Sequence, residues 1–297
     1  MALASFLATG EVQSADKPPD APAAQLLEAA QLDQRVVALY QKGKHAEALP
    51  LAQRSLDIRQ KLLGPDHLNT AMSLHNLASQ YAELRDYAKA ETLFLRALAI
   101  KTDKLGPGHP DTTSTVKNLA FMYIDQGGLD RAERLYKDTL GQVLNRQDVD
   151  ESIKAMWLDK VVWILWRQDK FAEAEPLARQ RLAMANSTPK TDYVALSRAH
   201  KNLAAQLVGL GRYLEALPHR LQEVTLVTKS YGNDSLETAI SLNHLAVLYQ
   251  LLGYYTKAES MFLQSLDIKY KHQGPTHPDT VASLTNLADL YREMGSL

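Results

Sequence analysis

Apolar residues recur along this chain with two periods at once. Leu74, Leu77, Ala78 and Tyr81 follow the i, i+3, i+4, i+7 spacing of one buried helix face. After a turn at Arg85-Asp86, Tyr87, Ala90, Phe94, Ala97 and Leu98 mark the buried face of a second helix. The longer period is 42 residues: Ala48, Ala90, Ala132, Ala174, Ala216 and Ala258 recur at that spacing without a slip. Leu77, Leu119, Val161, Leu203, Leu245 and Leu287 form a second column, and Tyr81, Tyr123, Leu165, Leu207, Tyr249 and Tyr291 a third. No stretch alternates apolar and polar residues as a strand does. The pattern predicts an all-α array of helix pairs, six pairs and one final helix, with each pair stabilised by its neighbours.

The connections repeat in register. Gly64-Pro65-Asp66-His67, Gly106-Pro107-Gly108-His109-Pro110 and Gly274-Pro275-Thr276-His277-Pro278 close second helices, because proline cannot continue a helix. Asp111 or Thr112, and Asp279 or Thr280, are predicted to cap the helices that follow, accepting from their free N–H groups. A second alanine column, Ala78, Ala120, Ala204, Ala246 and Ala288, lies on the first helices. Small residues in both columns let two helix axes come close, and a large one would overpack the crossing by about 1–3 kcal/mol. Pair four departs from the pattern. Lys160-Val161-Val162 stands where other pairs read Asn-Leu-Ala, and its flanking loops lack Gly-Pro-His.

Composition narrows the function. The 297 residues carry a net charge of −1, so no global field recruits nucleic acid. Absence of cysteine excludes disulfides, thiolate metal sites and cysteine nucleophiles. No apolar run approaches the roughly 18 residues of a membrane span. Ala2 to Ala8 is a short apolar run followed by a Pro/Ala-rich stretch, Asp16 to Ala24. Residues 1–24 therefore read as a disordered tail or as the remnant of an export signal, and residues 25–297 as the repeat domain. Cytoplasmic and exported locations both stay open. His67, His109 and His277 occupy one loop column in different repeats, which predicts loop packing rather than a metal site. No His-Glu-x-x-His, phosphate-cradling glycine loop or Gly-x-Ser-x-Gly is present. No catalytic residue, cofactor or metal is expected.

Leu77-Ala78-(x)2-Tyr81 followed by Ala90 and Phe94 resembles the tetratricopeptide repeat. The period of 42, with Asn-Leu-Ala in the first helix and Leu-Gly-Pro-x-His-Pro-Asp-Thr between repeats, is similar to the kinesin light chain type, which bacterial scaffold and signalling proteins share. The resemblance covers about residues 31–297 and implies a right-handed α-solenoid whose first helices line a concave groove. It also implies that the residue before the leucine column points into that groove: Arg35, Asn76, Asn118, Lys160, Asn202, His244 and Asn286.

Asn offers a donor and an acceptor, which suits an extended peptide backbone. The same side chains could instead bond neighbouring repeats, and both readings stay open. Lys117 and Lys201 lie one residue earlier, and Arg198 one turn before Asn202, resembling the Lys/Arg-x-x-x-Asn pair that holds a carboxylate in some tetratricopeptide domains. With Arg35 and Lys160 they give the groove a basic lining that would favour an acidic peptide or a C-terminal carboxylate; a solvated charged face is the other reading, and both stay open. All three tryptophans fall in pair four. Trp163 and Trp166 share a helix face toward the groove and are candidate ligand anchors or core fillers; Trp157 is expected in the core.

The expected function is a non-catalytic scaffold that binds a protein or an extended acidic peptide, with self-association through the terminal helix as a further possibility. The alternatives are the sensor portion of a larger enzyme or signalling protein whose effector lies beyond Leu297, and a structural assembly unit.

Overall fold

The computed structural model describes residues 21–187 and 192–295. Of the expected N-terminal segment, residues 1–20 lie outside the described residues, as does Lys190-Thr191 of the loop after pair four. Among the described residues there are thirteen helices and no strand: α1 (Ala21–Gln41), α2 (His45–Leu63), α3 (Leu68–Glu83), α4 (Tyr87–Leu105), α5 (Pro110–Asp125), α6 (Leu129–Leu144), α7 (Glu151–Trp166), α8 (Phe171–Asn186), α9 (Tyr193–Gly209), α10 (Tyr213–Tyr231), α11 (Leu236–Leu251), α12 (Tyr255–Gln273) and α13 (Pro278–Glu293). They form an all-α solenoid of helix pairs. The first helix starts at Ala21 rather than residue 25, since Pro22 is tolerated in a first turn, where its missing N–H has no partner to lose.

The chain divides into two compact units at Met122/Tyr123, inside α5. In the first unit, Val36, Ala48, Ala52, Leu56, Ala71, Leu74 and Leu77 form the core between α1, α2 and α3. In the second, α7 through α10 bury Val162, Ala178, Leu203, Leu207 and Ala216, while Ala246, Ala258, Phe262, Leu287 and Leu290 hold α11 to α13. First helices of successive pairs also touch, α1 with α3 in the first unit, and α7 with α9 and α11 with α13 in the second. All six alanines of the 42-residue column have no exposed surface, nor do Ala78, Ala120, Ala204 and Ala246. Val162, which takes the alanine position in pair four, is as well buried at 2%.

The predicted caps are corrected. Helices α5 and α13 begin at Pro110 and Pro278, so Asp111, Thr112, Asp279 and Thr280 lie inside the first turn. The loop histidines cap instead. Nδ1 of His67, His109 and His277 accepts from the backbone N–H of Asn69, Asp111 and Asp279 at 3.1, 3.1 and 3.2 Å. In each case the imidazole stands one residue before the helix and accepts from the N–H two residues on, whether the first helical residue is Leu68, Pro110 or Pro278.

A second device was not foreseen. Arg59, Lys101 and Lys269 are buried near the ends of α2, α4 and α12. Each donates to a first-turn carbonyl of the next helix and to a hydroxyl one turn on: Arg59 to Asn69 O and Ser73, Lys101 to Asp111 O and Thr115, and Lys269 to Asp279 O and Ser283. Charge-assisted bonds of this kind are stronger than neutral ones and clamp one pair onto the next. At the corresponding positions before and in pair four the residues are Val143 and Trp157, both buried with no exposed surface, and the Trp157 indole N–H has no partner. The expectation that Trp157 is a core residue holds.

Turns between the helices of a pair close by a recurring backbone bond across six residues, as from Asp86 N to Tyr81 O and from Lys170 N to Leu165 O. The residue before the donor has positive φ, which glycine supplies in most repeats. Arg85 and Asp169 hold φ of 61° and 56° at this position, where a side chain meets steric cost. Arg85→Gly and Asp169→Gly are therefore each expected to stabilise the chain by about 1 kcal/mol, and Gly211→Ala to destabilise it by a similar amount. Urea unfolding of the three variants checks the signs.

Candidate functional site

Three asparagines of the column before the leucines hold neighbouring repeats together. In the first unit Asn118 Nδ2 donates to His75 Nε2 at 3.2 Å. In the second, Asn202 Nδ2 donates to Asp159 Oδ1 at 2.9 Å and Asn286 Nδ2 to Asn243 Oδ1 at 3.1 Å. Each partner sits one position before the column in the preceding repeat, so the amide N–H ties successive first helices. Asn76 is half-buried and Lys117 exposed; with Asn118 they belong to the first unit. Lys160, Trp163, Trp166, Arg198, Lys201, Asn202 and Asn286 belong to the second.

The Asn118 contact leads into a buried chain. His75 Nδ1 donates to Thr115 Oγ1 at 3.0 Å, Lys101 Nζ donates to the same oxygen at 2.9 Å, and Thr115 donates to Asp111 O. With Nε2 accepting from Asn118, the ring is neutral with its proton on Nδ1. Burial, and next the Lys101 charge, push its pKa down to about 3.

In the second unit the first-helix face opens into a hollow of about 470 Å³. Its walls include Trp163 and Trp166 of α7, Lys201 and Asn202 of α9, and Ile240 and His244 of α11. Both tryptophans are well exposed, at 39% and 44%. A shallower hollow of about 160 Å³ shares Lys201 and Ile240 and adds Arg198, Tyr231 and Glu237. The structure thus gathers Trp163, Trp166, Lys201 and Asn202 on one hollow, with Arg198 on the next.

Two carboxylates, half-buried Asp159 and buried Glu223, set the local electrostatics. Asp159 lies 3.4 Å from Arg181 and accepts from Asn202. Burial pushes its pKa up, against the pull of Arg181 and Arg198. The Arg198-x-x-x-Asn202 pair therefore already serves a carboxylate of the chain's own, and a ligand carboxylate there would compete with Asp159. Glu223 accepts from Arg220 at 2.6 Å and from His244 at 3.0 Å. Burial raises its pKa, but His244 and Arg220 outweigh that and hold the group below the usual carboxylate range.

Arg220, Glu223, Gln206, Ile240 and, as a site residue, His244 were missed from sequence. A signal existed for Arg220, which occupies a column otherwise apolar throughout: Ala52, Phe94, Tyr136, Ala178 and Phe262. A charge in an apolar column is the mark to look for. Phe121 in the first unit was also passed over; it stands in the same register as Trp163 and is 68% exposed. Among the described residues no three His, Asp or Glu side chains converge as a metal site would require.

Stacked helix pairs with an open first-helix face define the class of α-solenoids. The tetratricopeptide repeat model matches residues 27–103, 72–145 and 195–271, and this chain belongs to the tetratricopeptide repeat family. The matched segments lie on either side of pair four. Over 49 residues, 16% of this chain, it is 45% identical to human nephrocystin-3, of whose length it spans 4%. Two solved structures share the fold. One is a Podosopora anserina protein described as a kinesin light chain with nearly identical TPR-like repeats, 20% identical, covering 72% of this chain and 99% of that one with a TM-score of 0.55. The other is a Rap protein complexed with competence and sporulation factor, 16% identical, covering 93% of this chain and 73% of that one with a TM-score of 0.53. No described helix is long and apolar enough to cross a membrane.

The buried ring of His75 makes stability depend on pH. An unfolded imidazole binds a proton near pH 6.5 and the folded one only near about 3, so the unfolded state takes up more protons between these values. Stability from His75 is complete above roughly pH 6.5 and is lost as pH falls through that window. Thermal melts across pH 3–7 should show a smaller decline for His75→Gln than for the unaltered chain.

Proposed function

We propose that this chain is a non-catalytic scaffold that holds an extended acidic peptide, or a partner segment of that kind, along its first helices. The tetratricopeptide fold is typically an interaction scaffold, and the Rap protein that shares it was solved with competence and sporulation factor bound. The observation that carries the reading is the pair of exposed tryptophans beside Lys201 and Asn202 on one hollow of the second unit. Exposed indoles around a hollow are costly to keep in water and are frequent binding anchors. The acidic preference follows from the local charge. Asp159 and Glu223 are occupied by Arg181, Asn202, Arg220 and His244, which leaves exposed Lys201 and half-buried Lys160 to meet a ligand's negative charge. In the first unit, Asn76, Lys117 and Asn118 offer the same chemistry, and Phe121 an apolar contact.

Titrating the full chain with acidic, neutral and basic peptides, read by tryptophan emission, tests this. Acidic peptides should bind best, and Lys201→Glu should weaken them about tenfold, equivalent to ~1.4 kcal/mol, without moving the melting temperature. Trp163→Ala should weaken binding as well. Asn202→Ala should lower affinity and melting temperature together, because Asn202 also ties α9 to α7. A preference for basic peptides, or indifference to Lys201→Glu, would sink the reading.

A further inference from the structure

Two columns of the repeat are apolar in every pair but the fifth. On the first helices Leu32, Leu74, Val116, Leu158, Leu242 and Leu284 share one register; on the second helices Leu51, Leu93, Leu135, Leu177 and Met261 share another. The columns meet inside a pair: Leu32 with Leu51, Leu74 with Leu93, and Leu242 with Met261 are each packed in one apolar cluster. Pair five breaks both columns together. His200 of α9 and His219 of α10 stand at the two positions, and their Nδ1 atoms lie 2.9 Å apart. Leucines pack this contact elsewhere, so a matched exchange of both for histidine calls for a reason other than packing.

At 2.9 Å the rings share one hydrogen bond, Nδ1–H of one donating to the bare Nδ1 of the other. One added proton can settle on the far nitrogen of the donor ring and leave that bond intact. A second puts an N–H on each facing nitrogen, so the bond is lost and two cations oppose each other between α9 and α10. Both rings are half-buried. Burial, and next the charge of His219, push the His200 pKa down to about 4, against the pull of Glu223. Burial and then Arg179 lower that of His219, against Glu215. The charges acting on the pair thus come from α10 and from Arg179 of α8. From α11, His244 reaches Glu223, which Arg220 also holds; from α7, Asp159 meets α9 at Asn202.

Rings freed into water titrate near pH 6.5, so below that value an open contact binds more protons than the closed one. Closure is fully stable above about pH 6.5 and weakens as pH falls toward about 4. With both rings taking up a proton, opening at pH 5.5 is up to about a hundredfold more frequent than at pH 7.5.

His200 stands directly before Lys201 and His219 directly before Arg220, and Lys201 and Arg220 both line the hollow of about 470 Å³. The histidine pair therefore joins two of the helices that wall it. We infer that His200 and His219 form an acid-released latch: neutral, they hold α9 to α10; charged, they part the helices, deform the hollow and let a bound peptide go. This inference rests on the peptide-binding reading above and adds its regulation, a loss of ligand on mild acidification.

The test uses the full chain, with hydrogen exchange read as protection factors so that the intrinsic pH dependence of amide exchange drops out. From pH 7.5 to 5.5, protection around His200 and His219 should fall by more than about tenfold and up to about a hundredfold, while α12 keeps its own. In His200→Leu/His219→Leu, which restores the residue other pairs carry, the fall should vanish. Should that variant not fold, His219→Leu alone leaves one titrating ring, and the fall should be no more than about tenfold. Titration with acetyl-Asp-Asp-Leu-Asp-Asp-amide reads the consequence. The unaltered chain and the double variant should bind it equally at pH 7.5; at pH 5.5 the unaltered chain should bind about threefold or more weakly, because only its closed fraction binds. Comparing the two chains at one pH cancels the titration of the peptide, Asp159 and His244.

Protection in α9 and α10 that does not change with pH, or that falls equally in the folded double variant, overturns the inference. Equal affinity of the two chains at pH 5.5 overturns it as well, while leaving the broader scaffold reading standing. A peptide that binds neither chain at pH 7.5 overturns the peptide-binding reading, and the exchange measurement still decides the latch.

Discussion

Two α-helices can approach closely only where the side chain at their crossing is small, and this chain repeats that condition every 42 residues. Ala48, Ala90, Ala132, Ala174, Ala216 and Ala258 have no exposed surface. Because the crossing is tight, leucines and aromatics on either side of it fill the remaining space at interior density, and a larger residue would push the helices apart. Both faces of a second helix are then engaged, one with its own first helix and one with the next. The first helices keep one face open, and residues on it can change without disturbing the stack.

Buried polar groups are consistent with this division. Where pairs meet, Arg59, Lys101 and Lys269 are buried but fully supplied with carbonyls and hydroxyls, so their charge reinforces the stack. In the second unit Arg181, Arg220 and Glu223 are buried and Asp159 is half-buried, and Arg220 Nε has no partner. The first set of cations holds repeats together, whereas Arg220 lines a hollow bordered by exposed indoles.

Pair four shows how a repeat can depart from its pattern without losing its core. Val162 at the alanine position and Trp157 at the hydroxyl position are buried as completely as the residues they replace. The larger apolar volume takes the place of the cation clamp, and the two remaining tryptophans stand on the open side.

Period, helix pairing and the buried alanine and leucine columns were legible in the sequence, because they depend on spacing along a single chain and on the 3.6-residue turn of each helix. The burial of Trp157 and the grouping of Trp163 and Trp166 on one helix face followed from the same register. What spacing could not determine was where polar side chains end. His67, His109 and His277 cap helices through a ring nitrogen, which depends on the loop's path. The asparagine column bonds to residues 43 positions earlier, which depends on the angle between separately folded helices. Arg220 and Gln206 could be named as exceptions to their columns, yet only the packed helices α7, α9, α10 and α11 bring them to the same hollow. A hydrogen bond needs two groups within about 3 Å and well aligned, and for residues on different helices that condition is set by packing rather than by the order of residues along the chain.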